Sequence, residues 1–130
     1  MGIEGTCLGG LHFVTIRTIM RHMTNTKAPI CEIDADEVFK ALSNPARRQI
    51  LAWLKEPEKH FQQQLLPYEN GVCAGRIFER TELSHSTVSA HLACLQRVGL
   101  VTTTKIGQWI FYKRNEALIE AFQEYLRTAL

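Results

Sequence analysis

The sequence predicts a mainly helical α+β domain with a single β-hairpin set between helices. Three observations point there. Apolar residues recur at i, i+3, i+4 and i+7 in several short segments, as on helices with one buried face. Asn-Pro, a lone Pro and Gly fall where such segments would start and stop. Two runs rich in β-branched and aromatic residues meet at Gly107-Gln108, which reads as a hairpin. The 130 residues are enough for one core, and no apolar run approaches the ~18–20 residues that span a bilayer.

Residues 1–32 stand apart. Gly2, Gly5, Gly9 and Gly10 interrupt any regular element, and Met20 and Met23 offer alternative starts. This stretch is expected to be an extension, flexible or a mis-called start, ahead of a domain over residues 33–130. The competing reading is an extra helix or strand packed on a dimer. The apolar patch from Leu11 to Met20 is broken by Arg17 and preceded by no basic residue, a poor signal sequence.

From Asp34 the spacing turns helical. Val38, Ala41 and Leu42 form a stripe behind Asp34 and Asp36, which suit a helix N-terminus. Asn44 then caps a second helix with Pro45 in its first position. Ile50, Leu51 and Leu54 are its apolar stripe, Arg47 and Arg48 lie near its start, and Pro57 closes it. Residues 57–71, polar and ending in Asn-Gly, predict a long loop. A short third helix is expected over Cys73 to Arg80, a turn over Thr81 to Ser84, and a fourth helix over His85 to Val98. Gly99 ends the fourth helix. The hairpin follows, and the last helix, Asn115 to Leu130, carries Leu118, Ile119, Phe122 and Leu126 at helical spacing.

Composition narrows the function classes. Arg17, Arg21 and Lys27 against Glu4 account for the whole net charge of +2, so residues 31–130 balance. A basic surface must therefore come from the arrangement of charges. Cys7, Cys31, Cys73 and Cys94 are scattered with no CxxC or CxC pair, which predicts a reduced, cytoplasmic protein. No Gly-rich phosphate loop, carboxylate pair or nucleophile motif supports an enzyme, and no cofactor is implied.

Helix–turn–helix–hairpin–helix is the order of a winged helix-turn-helix domain with a two-stranded wing and a C-terminal dimerisation helix. With Val88, Leu92 and Leu95 inward, Ser86, Ser89, Ala90 and Arg97 lie mainly on the other side of their helix. Small hydrogen-bonding side chains there suit close approach to base edges. His85 and Thr87 occupy its first turn, where the helix dipole favours phosphate. Lys105 and Gln108 fall near the wing tip, and Lys105 can reach a phosphate or an adjacent minor groove. Arg76 and Arg80, on the supporting helix, are phosphate candidates. Trp109, Phe111 and Tyr112 are expected to pack rather than stack on single strands.

The segments ALSNPARRQILAWL, LSHSTVSAHLACLQRVGLV and GQWIFYKRN resemble the ArsR family of bacterial repressors, over roughly residues 34–126. The resemblance implies a homodimer joined through the first and last helices, with Val38, Leu118, Phe122 and Tyr125 at the seam. It further implies double-stranded DNA as partner, a palindromic operator, and release on an effector. Ser86, Thr87, Ser89 and His91 fall in the family's recognition helix. Metal sensors of the family use a CxC pair before that helix or ligands on the last helix. Here Cys73 matches the first cysteine, Gly75 stands at the second, and the last helix has neither His nor Cys. No metal site is therefore expected. Cys73 is a candidate redox or electrophile sensor, with a small organic ligand as the next effector class. Cys94 is expected to pack, and His91, three residues before it, to pack or to hydrogen-bond on the DNA side. The alternative function is a winged-helix protein-interaction module without sequence-specific DNA binding.

Overall fold

The computed structural model describes residues 33–61 and 64–130, so Cys7, Cys31 and the expected extension over 1–32 lie outside the described residues. The described residues fall into two compact units, one of residues 33–40 and 117–130 and one of Ala41–Glu116. Helix α1 spans Ala35–Leu42 and opens where expected: Asp34 Oδ1 accepts the Glu37 N–H at 3.2 Å. In the first unit Phe39 of α1 meets Phe122 edge-on, with centroids 5.1 Å apart. Phe122 belongs to α6, Glu116–Ala129, which lies within the predicted Asn115–Leu130 segment.

The second unit begins with α2, Pro45–Lys55. Asn44 Oδ1 accepts the N–H groups of Ala46 at 2.8 Å and Arg47 at 3.2 Å, as the Asn-Pro signal predicted. Ile50, Leu51 and Leu54 are its buried stripe. Residues 57–71 depart from the long loop expected of them. Pro57–His60 is a single helical turn, α3, and Tyr68–Asn70 is a 3₁₀ turn. Pro57 starts rather than merely stops a helix, because a missing N–H costs nothing in a first turn.

A third strand is the other departure. Val72–Cys73 forms β1, which pairs antiparallel with β3, Trp109–Arg114, so Cys73 precedes helix α4, Ala74–Arg80, rather than opening it. Two residues are too short to show a strand period. Gly71 makes this pairing possible. Its φ is 105°, and a Cβ there would stand 2.7 Å from the Tyr112 carbonyl oxygen. The predicted hairpin joins β2, Val101–Ile106, to β3 in the register Val101↔Arg114 to Ile106↔Trp109, giving the order β1-β3-β2. The fold is thus mainly helical α+β with a hairpin wing, as predicted, and β1 extends the wing's sheet to three strands.

Helix α5 runs His85–Val98, with Ser84 Oγ accepting the Thr87 N–H at 3.2 Å. Its end is tied off by Gly99 at φ 95°: Leu100 N–H donates to the Leu95 carbonyl and Gly99 N–H to that of Gln96. Among the described residues no helix is long and apolar enough to cross a membrane.

Candidate nucleic-acid interface

Helix α5 is two-sided. Val88, Leu92 and Leu95 are fully buried, while His85, Ser86, Thr87, Ser89, Ala90 and Arg97 are all exposed. Ile77 of α4 is equally buried, and the two helices are joined by the turn 81–84, in which Thr81 Oγ1 accepts the Leu83 N–H. The exposed side carries no large apolar side chain between Ser86 and Arg97, so a groove wall can come close to it.

The first turn of α5 concentrates hydrogen-bonding groups. Ser84 Oγ lies 2.9 Å from Thr87 Oγ1 and 3.3 Å from Ser86 Oγ. Beside them the His85 ring stacks on Phe78, with centroids 4.4 Å apart and planes 16° from parallel. Phe78 therefore restricts the imidazole to one plane at the mouth of the helix. The free N–H groups of a helix start and the positive end of its dipole favour an anion at the same place.

His91 sits differently from its neighbours. It is half-buried, with Nδ1 3.3 Å from Arg47 Nη1. Arginine has only donors, so Nδ1 is the acceptor and the ring's proton is on Nε2. Burial, and then the Arg47 charge, hold the His91 pKa below its ordinary value. Arg47 Nε in turn donates to the Ala41 carbonyl at 2.7 Å, and Arg48 Nη1 to that of Leu42 at 2.7 Å. Both arginines thereby close the C-terminus of α1, whose last carbonyls lack intrahelical partners. This role was missed from the sequence, although two basic residues just after a helix stop are a signal for it.

The remaining candidates are spread over the same unit. Lys105 and Gln108 are exposed beside the wing turn at Gly107. Gln96 Nε2 donates to Thr103 Oγ1 at 3.3 Å, which braces α5 against the first wing strand. Arg76 pairs with Glu79 at 2.6 Å, and the Arg80 guanidinium lies over the Trp53 ring at 5.1 Å. Arg97 Nη2 stands 3.8 Å from Cys94 Sγ. Cys73 and Cys94 are both half-buried free thiols. Among the described residues no three His, Cys, Asp or Glu side chains gather as a metal-ligand set.

The candidates for the dimer seam, Val38, Leu118, Phe122 and Tyr125, all belong to the first unit. Val38 and Phe122 are buried, whereas Leu118 and Tyr125 are half-buried. Phe39, overlooked in the sequence, is 42 % exposed and touches both Phe122 and Tyr125 ring to ring. Its place directly after Val38, off the apolar stripe, hid it.

A family profile described as bacterial regulatory protein, arsR family, matches residues 69–103, the span from the 3₁₀ turn through α4 and α5 to β2. An uncharacterized HTH-type transcriptional regulator of Bacillus subtilis, YbzH, is 42 % identical over 100 residues, covering 72 % of this chain and 96 % of its own. The transcriptional activator HlyU of Vibrio cholerae is 36 % identical over 68 % of this chain and 70 % of its own. Its solved structure covers 71 % of this chain and 86 % of its own, with a TM-score of 0.52. The transcriptional repressor SdpR of Bacillus subtilis is 31 % identical over 65 % of this chain and 80 % of its own. Shared sequence over most of YbzH, shared fold with HlyU and the two-sided α5 agree: the chain belongs to the arsR family and is a winged-helix, DNA-binding transcription regulator.

Proposed function

We propose that the chain acts as a homodimeric repressor that reads a palindromic operator and leaves it on receipt of a chemical signal. The observation that carries the reading is the exposed face of α5, polar and small-residued from its hydroxyl-rich first turn to Arg97. In this reading Ser86 and Ser89 meet base edges, with Thr87, His85 and His91 beside them. Lys105 and Gln108 follow the backbone or adjacent minor groove from the wing, and Arg76 and Arg80 serve phosphates from α4. Two-fold symmetry follows from a seam built on Leu118, Phe122, Tyr125 and Val38, and a symmetric dimer calls for a symmetric operator. Such a regulator works on chromosomal DNA in the cytoplasm.

Relatives bear both signs of regulation, since HlyU is named an activator and SdpR a repressor. Repression is supported here by the likeness to SdpR and by the family resemblance of the α5 segment. For the signal, thiol chemistry at Cys73 is one route: Cys73 is half-buried at the junction of β1 and α4, two residues after the Gly71 crossing. A structure of the Vibrio cholerae relative is described as reduced.

Fluorescence anisotropy on the chain's own upstream DNA, against a scrambled duplex of equal length, tests the proposal. Specific binding is expected, with Ser89→Glu lowering affinity at least about a hundredfold by setting a carboxylate against phosphate and base acceptors. Equal affinity for both duplexes would overturn it. Mild oxidant is expected to release the DNA and Cys73→Ser to abolish that release; release that persists in the serine variant removes Cys73 as the sensor.

A further inference from the structure

One face of the small sheet does not close on itself. Trp109 and Phe111 lie two residues apart on β3 and so share a face, Ile106 opposes Trp109, and Cys73 opposes Phe111. Phe111 is buried, yet Trp109 remains 50 % exposed. Over this face the 64–66 segment and the start of α4 leave a cavity of about 370 Å³. Its lining is mostly apolar, from Leu66, Ile106, Trp109 and Phe111 with the 93 % exposed Leu65 at the rim, and Arg76 is its single charged group among the described residues.

The walls are held in place without a ligand. The Gln64 amide donates to the carbonyls of Leu66 and Gly71, both at 2.9 Å, and its Oε1 accepts the Cys73 N–H at 3.0 Å. One side chain thus fastens the loop to β1. Arg76 places Nη1 on Glu79 at 2.6 Å, which orients its guanidinium at the edge of the cavity. A cavity of this size, apolar with one convergent charge, matches sites that hold small molecules rather than peptides.

We infer that this cavity is an effector site for a small aromatic or aliphatic molecule bearing one carboxylate, with Trp109 packing on its apolar body and Arg76 taking the acid. Arg favours a carboxylate because its planar donors match the two oxygens. A cation would meet repulsion from Arg76, and a neutral amide would lose the charge-assisted hydrogen bonds. The site borders the wing tip: Ile106 and Trp109 flank Gly107-Gln108, and Lys105 precedes Ile106. An occupant therefore presses on the residues that carry the wing's DNA contacts. This coupling rests on the proposed DNA-binding reading, whereas the ligand site itself does not.

Calorimetric titration of the full chain with naphthalene-2-carboxylate, its carboxamide and the corresponding aminomethyl cation tests the site without DNA. The carboxylate is expected to bind with a dissociation constant on the order of 0.1 mM. The amide should bind about tenfold more weakly, and the cation more weakly still. Arg76→Gln should erase the preference of acid over amide, and Arg76→Lys should restore part of it. Trp109→Ala should weaken both ligands at least about tenfold. Failure of the carboxylate to bind, absence of charge preference, or binding untouched by both Arg76→Gln and Trp109→Ala overturns the site. Saturating carboxylate should then lower affinity for the upstream duplex about tenfold. If the ligand binds and specific DNA affinity does not change, the effector role is overturned while the repressor reading stands. If the ligand binds and no specific DNA binding exists, the repressor reading fails and the ligand site remains.

Discussion

Arg47 Nη1 lies 3.3 Å from His91 Nδ1, joining the start of α2 to the middle of α5 across 44 residues of sequence. The same guanidinium holds the Ala41 carbonyl through Nε at 2.7 Å. One guanidinium thereby links Ala41 to α5, and its contact with Nδ1 holds only while His91 is neutral.

A pH dependence follows. The pKa of folded His91 is lowered from 6.5, so around and below that value the unfolded chain binds more protons than the folded one. The stability contributed by neutral His91 is complete above the unfolded pKa and is lost as pH falls through the folded one. Thermal melts at about pH 7.5 and about pH 5.5 should show a drop in Tm on acidification that is smaller in His91→Gln. An identical drop in the variant would show that other groups carry it.

The cap of α2 gives a second expectation. Asn44 Oδ1 accepts two backbone N–H groups, and alanine would leave both to water or unpaired. Asn44→Ala should lower unfolding free energy by about 1 kcal/mol, read from urea midpoints at unchanged slope, while Asn44→Ser should recover most of it.

Gly71 should tolerate substitution far less well. Its positive φ and the 2.7 Å approach of the Tyr112 carbonyl oxygen to a Cβ position act together. Gly71→Ala should destabilise by about 2 kcal/mol or more, since backbone at the β1–β3 crossing cannot shift without breaking the pairing. Chemical denaturation measures it directly. Gly75, whose Cβ position has open space and no strained φ, is the matching control. Gly75→Ala lies within helix α4 and should be neutral or mildly stabilising.

Lys105 is expected to act on DNA through charge alone. It is exposed on the wing, so Lys105→Ala should weaken operator and scrambled duplex by similar factors. The slope of log affinity against log salt should fall by about one. A loss confined to the operator would instead assign Lys105 to base reading. Fold stability should stay within about 0.5 kcal/mol, as for other exposed side chains.

Much of the fold was legible because its signals are local. The Asn44-Pro45 start, the Gly99 stop, the Gly107-Gln108 turn and the Val88–Leu92–Leu95 stripe each depend on backbone dihedrals or spacing within a few residues. Such preferences act before any long-range contact forms, so the order of helices and hairpin and the exposed face of α5 could be read directly. The short helix at Pro57, the third strand at Val72–Cys73 and the Gln64 clasp could not.

Those features exist only because distant segments meet. Two strand residues show no period of their own, and Val72 and Cys73 become a strand by pairing with Tyr112 and Phe111. The sequence places Arg47 only near the start of a helix, and the fold turns it onto Ala41 and His91. Trp109 and Phe111 read as a packed pair, and it is the fold that buries Phe111 while leaving Trp109 half open beside Arg76. The sequence by itself determined the main helices, the hairpin, their order and the exposed polar face of α5, because local backbone preference and hydrophobic spacing suffice for these. The tertiary structure decided which polar groups satisfy one another and where a cavity remains, because hydrogen-bond partners and packing are properties of side chains brought together from far apart in the chain.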